Sequence, residues 1–331
     1  MATYKGIKGV KVVTKTSDPT ASEAAGTLWY NSTGDALKYA TAGAGAWASG
    51  TNLPRNAALS ANIGISTAGM VIMGTPPYSR QTTKWNGSAW SEGSDTNHLA
   101  GSMQLGFGST TAGVIAGGYQ SSPTIPALQT SEEYNGSSWT TSNNMLNTHT
   151  DGTAAGILTA GLAITGAGGP QTGPEVEEYD GTSWTAGGDL ITGRARPQGS
   201  SCGTQTAALC IAGDMPDKKV VEQYDGTSWT AAPSLNSGTY NGGGCGTQTA
   251  ALSFGGYPTL NTTESYNGSA WSTENTLGTG RGYANGMGTQ ASAMYCSGQP
   301  GGGYSNTVEE WNDPVYTIKT VTVSYWQIIQ Q

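Results

Sequence analysis

The chain has 331 residues, of which 51 are glycine, 10 tryptophan and 2 phenylalanine, and only 11% are charged. A disordered chain is rich in charge and poor in aromatics, so this composition excludes one and predicts a thin core of small residues. The formal charge is −8, and residues 27–331 hold 10 basic against 20 acidic residues, a balance that repels phosphates and excludes a nucleic-acid-binding body.

Residues 1–25 read as an extended, basic, β-branched arm and linker. Lys5, Lys8, Lys11 and Lys15 lie within it, and Ser, Pro and Ala follow. The expected role is assembly: adding a strand to a neighbouring subunit or docking on an acidic surface. No continuous apolar stretch in the first 20 residues suggests a Sec-type signal, and no segment reads as a membrane span.

From residue 26 to 331 the chain repeats. Tyr134-Asn-Gly-Ser-Ser-Trp139 recurs at Tyr179–Trp184, Tyr224–Trp229 and Tyr266–Trp271, with a variant at Trp85–Trp90 and a degenerate copy from Trp311 to Tyr316. The leading aromatics lie 49, 45, 45, 42 and 45 residues apart. That period, with turn signals and no helical pattern, predicts an all-β propeller. Upstream of each aromatic pair stands a second signature, clearest in Thr204–Leu209 and Thr247–Leu252. It is followed by a short apolar run ending in glycine, such as Ile115-Ala-Gly-Gly118. Asn-Gly or Asp-Gly between the aromatics makes a tight turn.

These residues resemble the kelch pattern. Gly117-Gly118, Gly255-Gly256 and the Tyr–Trp pairs carry the likeness over roughly residues 27–320; the diglycine is incomplete around Gly74, Gly213 and Gly298. Seven blades are the preferred count: six full repeats plus one composite blade closed by both termini. Six blades are the alternative.

Tests for chemistry point away from an enzyme. Galactose oxidase is the enzymatic relative such a resemblance suggests, but its copper site needs a ligand set that His98 and His149, at matching repeat positions, do not supply. No cofactor and no metal are expected. Cys202, Cys210, Cys245 and Cys296 lack zinc spacing; Cys202 and Cys245 precede the same Gly-Thr-Gln and read as small buried thiols. Glu132, Glu177, Glu222, Glu264 and Glu309 each fall two residues before the aromatic, and a group repeated five times reads as scaffolding. Asn86, Asn135 and Asn267 stand in sequons, but Asp180 and Asp225 fill the same slot, so the slot wants a turn former.

One constellation remains. Some 8–11 residues after each tryptophan stands Arg55, His98, His149, Arg194, Tyr240 or Arg281. On loops around one mouth of the channel, these would form a binding ring for an acidic glycan or peptide; the competing role is satisfying carbonyls of the same blade.

Gly26-Thr-Leu-Trp-Tyr-Asn31, the Tyr-Asp-Gly-Thr-Ser-Trp units, Gly-Thr-Gln-Thr-Ala-Ala-Leu and Glu-Glu-Tyr are similar to kelch-like tail-fibre and appendage proteins of bacteriophages, especially cyanophages. The resemblance implies a non-enzymatic virion structural and adhesion protein, assembled in the host cytoplasm. Its expected partners are other virion proteins through the arm, a host-surface glycan and further copies of itself. The alternative is a cellular kelch-type carbohydrate- or protein-binding module.

Overall fold

The computed structural model describes residues 12–19, 27–42, 44–75, 79–97, 101–120, 128–166, 173–199, 202–313 and 316–321. Among these, all regular elements are strands, and seven four-stranded sheets form together with one two-stranded ribbon, Gly101–Ser102 with Tyr119–Gln120. The chain is an all-β, kelch-like β-propeller, and the sheet count of seven fits six full repeats plus one composite sheet. It divides into two compact units, 1–45 with 313–331 and 46–312.

The first unit holds the composite sheet, to which both ends of the chain contribute. Its order is Val13–Lys15, Leu28–Asn31, Ala36–Ala42, Tyr316–Thr320, and the first pairing is parallel, with Val13 opposite Trp29. The expected boundary after residue 25 therefore cuts through one unit. Asp18 explains why: its carboxylate accepts from Trp29 Nε1 at 3.2 Å and Asn31 Nδ2 at 2.7 Å and pairs with Lys38 Nζ at 2.5 Å. The Lys38 hydrogen bond, then that of Asn31, holds this carboxyl below its ordinary range. Lys15 ends an exposed strand. Lys5, Lys8 and Lys11 lie outside the described residues.

The second unit holds six antiparallel sheets, here blades 1 to 6. Their inner strands are Ala61–Ile65, Leu105–Gly108, Thr153–Ile157, Gly203–Thr204, Gly243–Thr247 and Asn285–Gly288. Each packs against the next, and the sixth packs against the first, closing a ring. Blade 6 is completed by Ala46–Ser49, which pairs with Val308–Asn312 and sets Trp47 opposite Trp311. Trp311 thus does not open a hairpin towards Tyr316; the segment preceding blade 1 supplies its aromatic partner, and Tyr316 lies in the composite sheet. Strands from the two ends of one unit thus complete blade 6, with Ala46–Ser49 as its outer strand.

The repeat motifs each have a structural task. In the turn between the third and fourth strands, Asn135, Asp180, Asp225 and Asn267 accept two backbone N–H bonds each through Oδ1. The glycine after them has φ of 89–96° in Gly268, Gly181, Gly226 and Gly136, a region L-residues rarely enter. Tyr and Trp then face each other across the hairpin, with centroids 4.7 Å apart in Tyr179–Trp184 and 5.0 Å in Tyr224–Trp229. The glutamine of Gly-Thr-Gln crosses to the preceding blade: Gln248 Nε2 donates to Tyr224 O at 2.6 Å, and Gln290 Nε2 to Tyr266 O at 2.6 Å. The diglycine is incomplete for a physical reason. Its first position is left-handed in every blade, but Met73, Thr165, Ala212 and Ser297 adopt φ of 51–67° there. The second position, Gly74 to Gly298, is glycine in all six blades.

Adjacent blades interlock by volume. Ile63, Phe107 and Met287 on inner strands meet Gly113, Gly161 and Gly69 of the next blade. A methyl added at Gly161 would come within 2.1 Å of the Phe107 ring. At the other three interfaces Ala155 packs with Ala208, Cys202 with Ala251 and Cys245 with Ala293. The pairing is therefore large against glycine or small against alanine, which keeps each interface close-packed. Cys202, Cys210, Cys245 and Cys296 are all free and buried, as expected of core thiols. Burial pushes Cys202 and Cys296 up to about 12 and Cys210 up to about 11, which disfavours the reactive thiolate.

Candidate functional site

The repeated glutamates are sockets for the loop arriving from the preceding blade. Glu222 accepts from the N–H groups of Ile191 at 2.7 Å and Thr192 at 3.2 Å and pairs with Arg194. Glu309 repeats the arrangement with Gly278, Thr279 and Arg281, and Glu177 with Leu146, Asn147 and His149, the last at 3.1 Å. Glu264 and Glu132 hold Asn236 and Asn97. All five carboxylates are buried. Burial pushes the Glu177 carboxyl up, but its bonds from His149 and the two backbone N–H groups outweigh that and leave it below its ordinary value. Five repeats of one structural task match the scaffolding expected of these residues.

The six loop residues expected to ring one mouth do not share a position. His149, Arg194 and Arg281 are equivalent, each ten residues after its tryptophan, and all are at most 1% exposed. Each is committed to its own blade. Arg194 donates to Ala212 O and Val220 O at 3.1 Å, Arg281 to Ser297 O at 2.9 Å, and His149 Nδ1 lies 3.0 Å from Thr165 O. They satisfy carbonyls and carboxylates of the interior and do not reach solvent. Arg55 stands two residues before that position and Tyr240 one after it, where the strict spacing of ten falls on Ala57 and Thr239. His98 lies outside the described residues. A fixed interval of ten residues separates His149, Arg194 and Arg281 from Arg55 and Tyr240.

A different ring surrounds the axis. Leu59, Met103, Asp151, Arg196, Asn241 and Tyr283, one per loop, all have left-handed backbones with φ of 53–61°. Five links join them head to tail: Met103 N donates to Leu59 O at 2.7 Å, Leu59 to Tyr283 at 2.9 Å, Tyr283 to Asn241 at 2.8 Å, Asn241 to Arg196 at 3.0 Å and Arg196 to Asp151 at 2.7 Å. The strain of six non-glycine residues at positive φ is of order 1 kcal/mol or more each, and the ring of bonds offsets it.

Beside this ring, on the side of blades 3 to 6, charged and aromatic groups converge. Tyr240 and Tyr257 have centroids 5.2 Å apart, and Tyr257 meets Tyr283 edge-on at 5.4 Å. Lys218 Nζ lies 4.3 Å above the Tyr240 ring and 3.6 Å from Asp214, which in turn sits 3.5 Å from Arg196; Arg196 reaches Asp151 at 3.3 Å. Tyr257 is 39% exposed, and the side chains of Arg196, Asp214 and Lys218 are partly exposed. Burial pushes the Asp151 carboxyl up, with Arg196 opposing, and burial together with Asp214 raises Tyr240. Of this cluster only Tyr240 was among the expected residues. Asp151, Arg196 and Tyr283 share one position, twelve residues after each tryptophan, but no residue type, and Tyr257, Asp214 and Lys218 lie on loops where the repeats differ.

No family model matches the chain. No curated protein matches it. Among solved structures it is similar to the bacterial protein YjhT, with a TM-score of 0.66 at 12% identity, covering 82% of this chain and 99% of that one. At this identity the likeness speaks to the propeller fold alone.

Proposed function

We propose that the chain is a non-enzymatic binding module that takes a host-surface glycan at the tyrosine-rich rim beside its axis, as an adhesion and structural component of a tailed-phage particle. The row Tyr240–Tyr257–Tyr283, flanked by Asp151, Arg196, Asp214 and Lys218, is the observation that carries the binding reading. Partly exposed aromatic faces offer area at low entropic cost, and the ionic groups beside them accept and donate to hydroxyls. The phage setting rests on the sequence resemblance, with assembly through the basic N-terminal segment and multiple copies per particle. The interior ion pairs support a rigid platform for such a rim and not a second site.

The test is a glycan array followed by calorimetric titration, with the full chain and a Tyr257→Ala, Tyr283→Ala double variant. The expected outcome is a glycan bound by the full chain and weakened about tenfold or more in the variant, at unchanged thermal midpoint. Equal binding by both proteins would overturn the rim as the site. Mass spectrometry of purified particles decides the setting: the chain is expected among virion proteins, and its absence would favour a cellular module.

A further inference from the structure

Blade 1 has lost its glutamate socket, and the loss is coordinated. Where blades 2 to 6 carry Glu132, Glu177, Glu222, Glu264 and Glu309, blade 1 carries Thr83. The loop residue whose N–H binds the carboxylate elsewhere, such as Ile191 or Gly278, is Pro54, which has no N–H. The position of Arg194 and Arg281 is Ala57. A cation has nonetheless been kept. Arg55 reaches in from two residues earlier and donates Nη2 to Met73 O at 2.7 Å, the carbonyl position that Arg194 takes at Ala212 and Arg281 at Ser297.

What is missing is its carboxylate. Arg55 Nε is buried and without a hydrogen-bond partner. The nearest acid of the sheet, Glu92 opposite Thr83, is exposed and makes no ion pair with Arg55. In the space where the other blades place a glutamate lies a cavity of about 130 Å³, lined by Pro54, Arg55, Gln81, Thr83, Glu92 and Asp95. Burial pulls the Arg55 guanidinium below its ordinary value, and an unpaired buried donor of this kind is costly.

We propose that this cavity binds the carboxylate of a small hydroxy acid, which takes the place of the absent glutamate. The carboxylate meets Arg55 Nε and the Thr83 hydroxyl. The acids at the rim, Glu92 and Asp95, weaken the hold on a bare anion by charge but accept hydrogen bonds from hydroxyls. The site therefore selects a carboxylate on a hydroxylated frame, such as a sugar acid, over a simple anion. It is separate from the tyrosine rim and does not depend on the reading given to it.

The probe is glucuronate, titrated into the full chain at matched ionic strength and followed by calorimetry and thermal midpoint, with glucose, acetate and chloride as comparison arms. Saturable binding of glucuronate is expected, weaker binding of acetate, and none of glucose or chloride. Arg55→Gln should weaken glucuronate by about tenfold or more, the loss of a charge-assisted hydrogen bond. Thr83→Glu, which puts a carboxylate back into the cavity, should abolish binding while the protein remains folded by circular dichroism. An equal response to chloride, or to glucose, would overturn the proposal, as would unaltered glucuronate binding in folded Thr83→Glu.

Discussion

At the scale of single residues, the indoles of Trp47, Trp139 and Trp184 each donate to one side-chain position in the blade before it. Trp139 Nε1 donates to Thr82 Oγ1 at 2.9 Å, Trp184 to Ser131 Oγ at 3.2 Å and Trp47 to Thr263 Oγ1 at 2.8 Å. The corresponding residue for Trp229 is Val176, which cannot accept, and Trp229 Nε1 is buried without a partner. For Trp271 it is Val221, and there the indole turns to Pro233 O at 2.9 Å. Val176→Thr supplies the missing acceptor. Burying a hydroxyl in place of a methyl ordinarily destabilises, and a satisfied buried donor returns about 1 kcal/mol. Val176→Thr is therefore expected to unfold in urea at or above the midpoint of the unaltered protein, whereas Val221→Thr, whose tryptophan is already bonded, loses about 1–2 kcal/mol. Equal losses in the two variants would count against the assignment.

The same scale shows where the sequence was silent. The Tyr–turn–Trp hairpins were legible because Asn/Asp-Gly and an aromatic pair each leave a local mark. The axial ring was not, because Leu59, Met103, Arg196 and Tyr283 adopt left-handed backbones against their own preferences, held there by neighbours more than forty residues away. The buried arginines were legible as a recurrence, but the recurrence of a charge does not say which way it faces. Only the glutamate at the other end of each pair decides that. The two repeats are one device, read as two from sequence.

At the scale of elements, a blade is held to its neighbour by fitted volumes and by backbone-seeking side chains. The glutamine crossings account for the Gly-Thr-Gln signature, and the Glu-Glu-Tyr signature is also split between interfaces. The first glutamate holds the incoming loop; the second accepts from the next blade's tyrosine, as Glu178 does from Tyr224 at 2.6 Å. Burial, reinforced by that glutamate, pushes Tyr224 up to about 12. Small residues on the inner strands were predictable from composition, but the division into large-with-glycine and small-with-alanine interfaces was not, since it couples residues of neighbouring blades. It makes a direct prediction. Gly161→Ala should destabilise by about 1–3 kcal/mol through overpacking against Phe107, and Phe107→Leu in the same chain should recover part of that loss. Strictly additive urea midpoints in the double variant would show that the two positions do not share space.

At the scale of the whole molecule, the chain's period predicted a propeller and its two ends predicted a shared sheet. Both are present, but the closure is divided. The composite sheet takes residues 13–15, 28–31, 36–42 and 316–320, while the ring of six blades closes within 46–312 through Trp47 against Trp311. The sequence hid this because nothing local marks that Ala46–Ser49 leaves Leu28–Asn31 and Ala36–Ala42 for another sheet. A ring that closes on itself is a rigid frame, and it is the frame that places the tyrosine rim and the vacant socket of blade 1.

The most direct measurement compares the thermal unfolding of two fragments, 46–312 and 50–312, by calorimetry. The first is expected to unfold in a single cooperative transition, and the second, stripped of the strand that seals blade 6, to lose several kilocalories per mole or to fail to fold. Identical midpoints, or an unfolded 46–312 fragment, would contradict a ring closed by Ala46–Ser49.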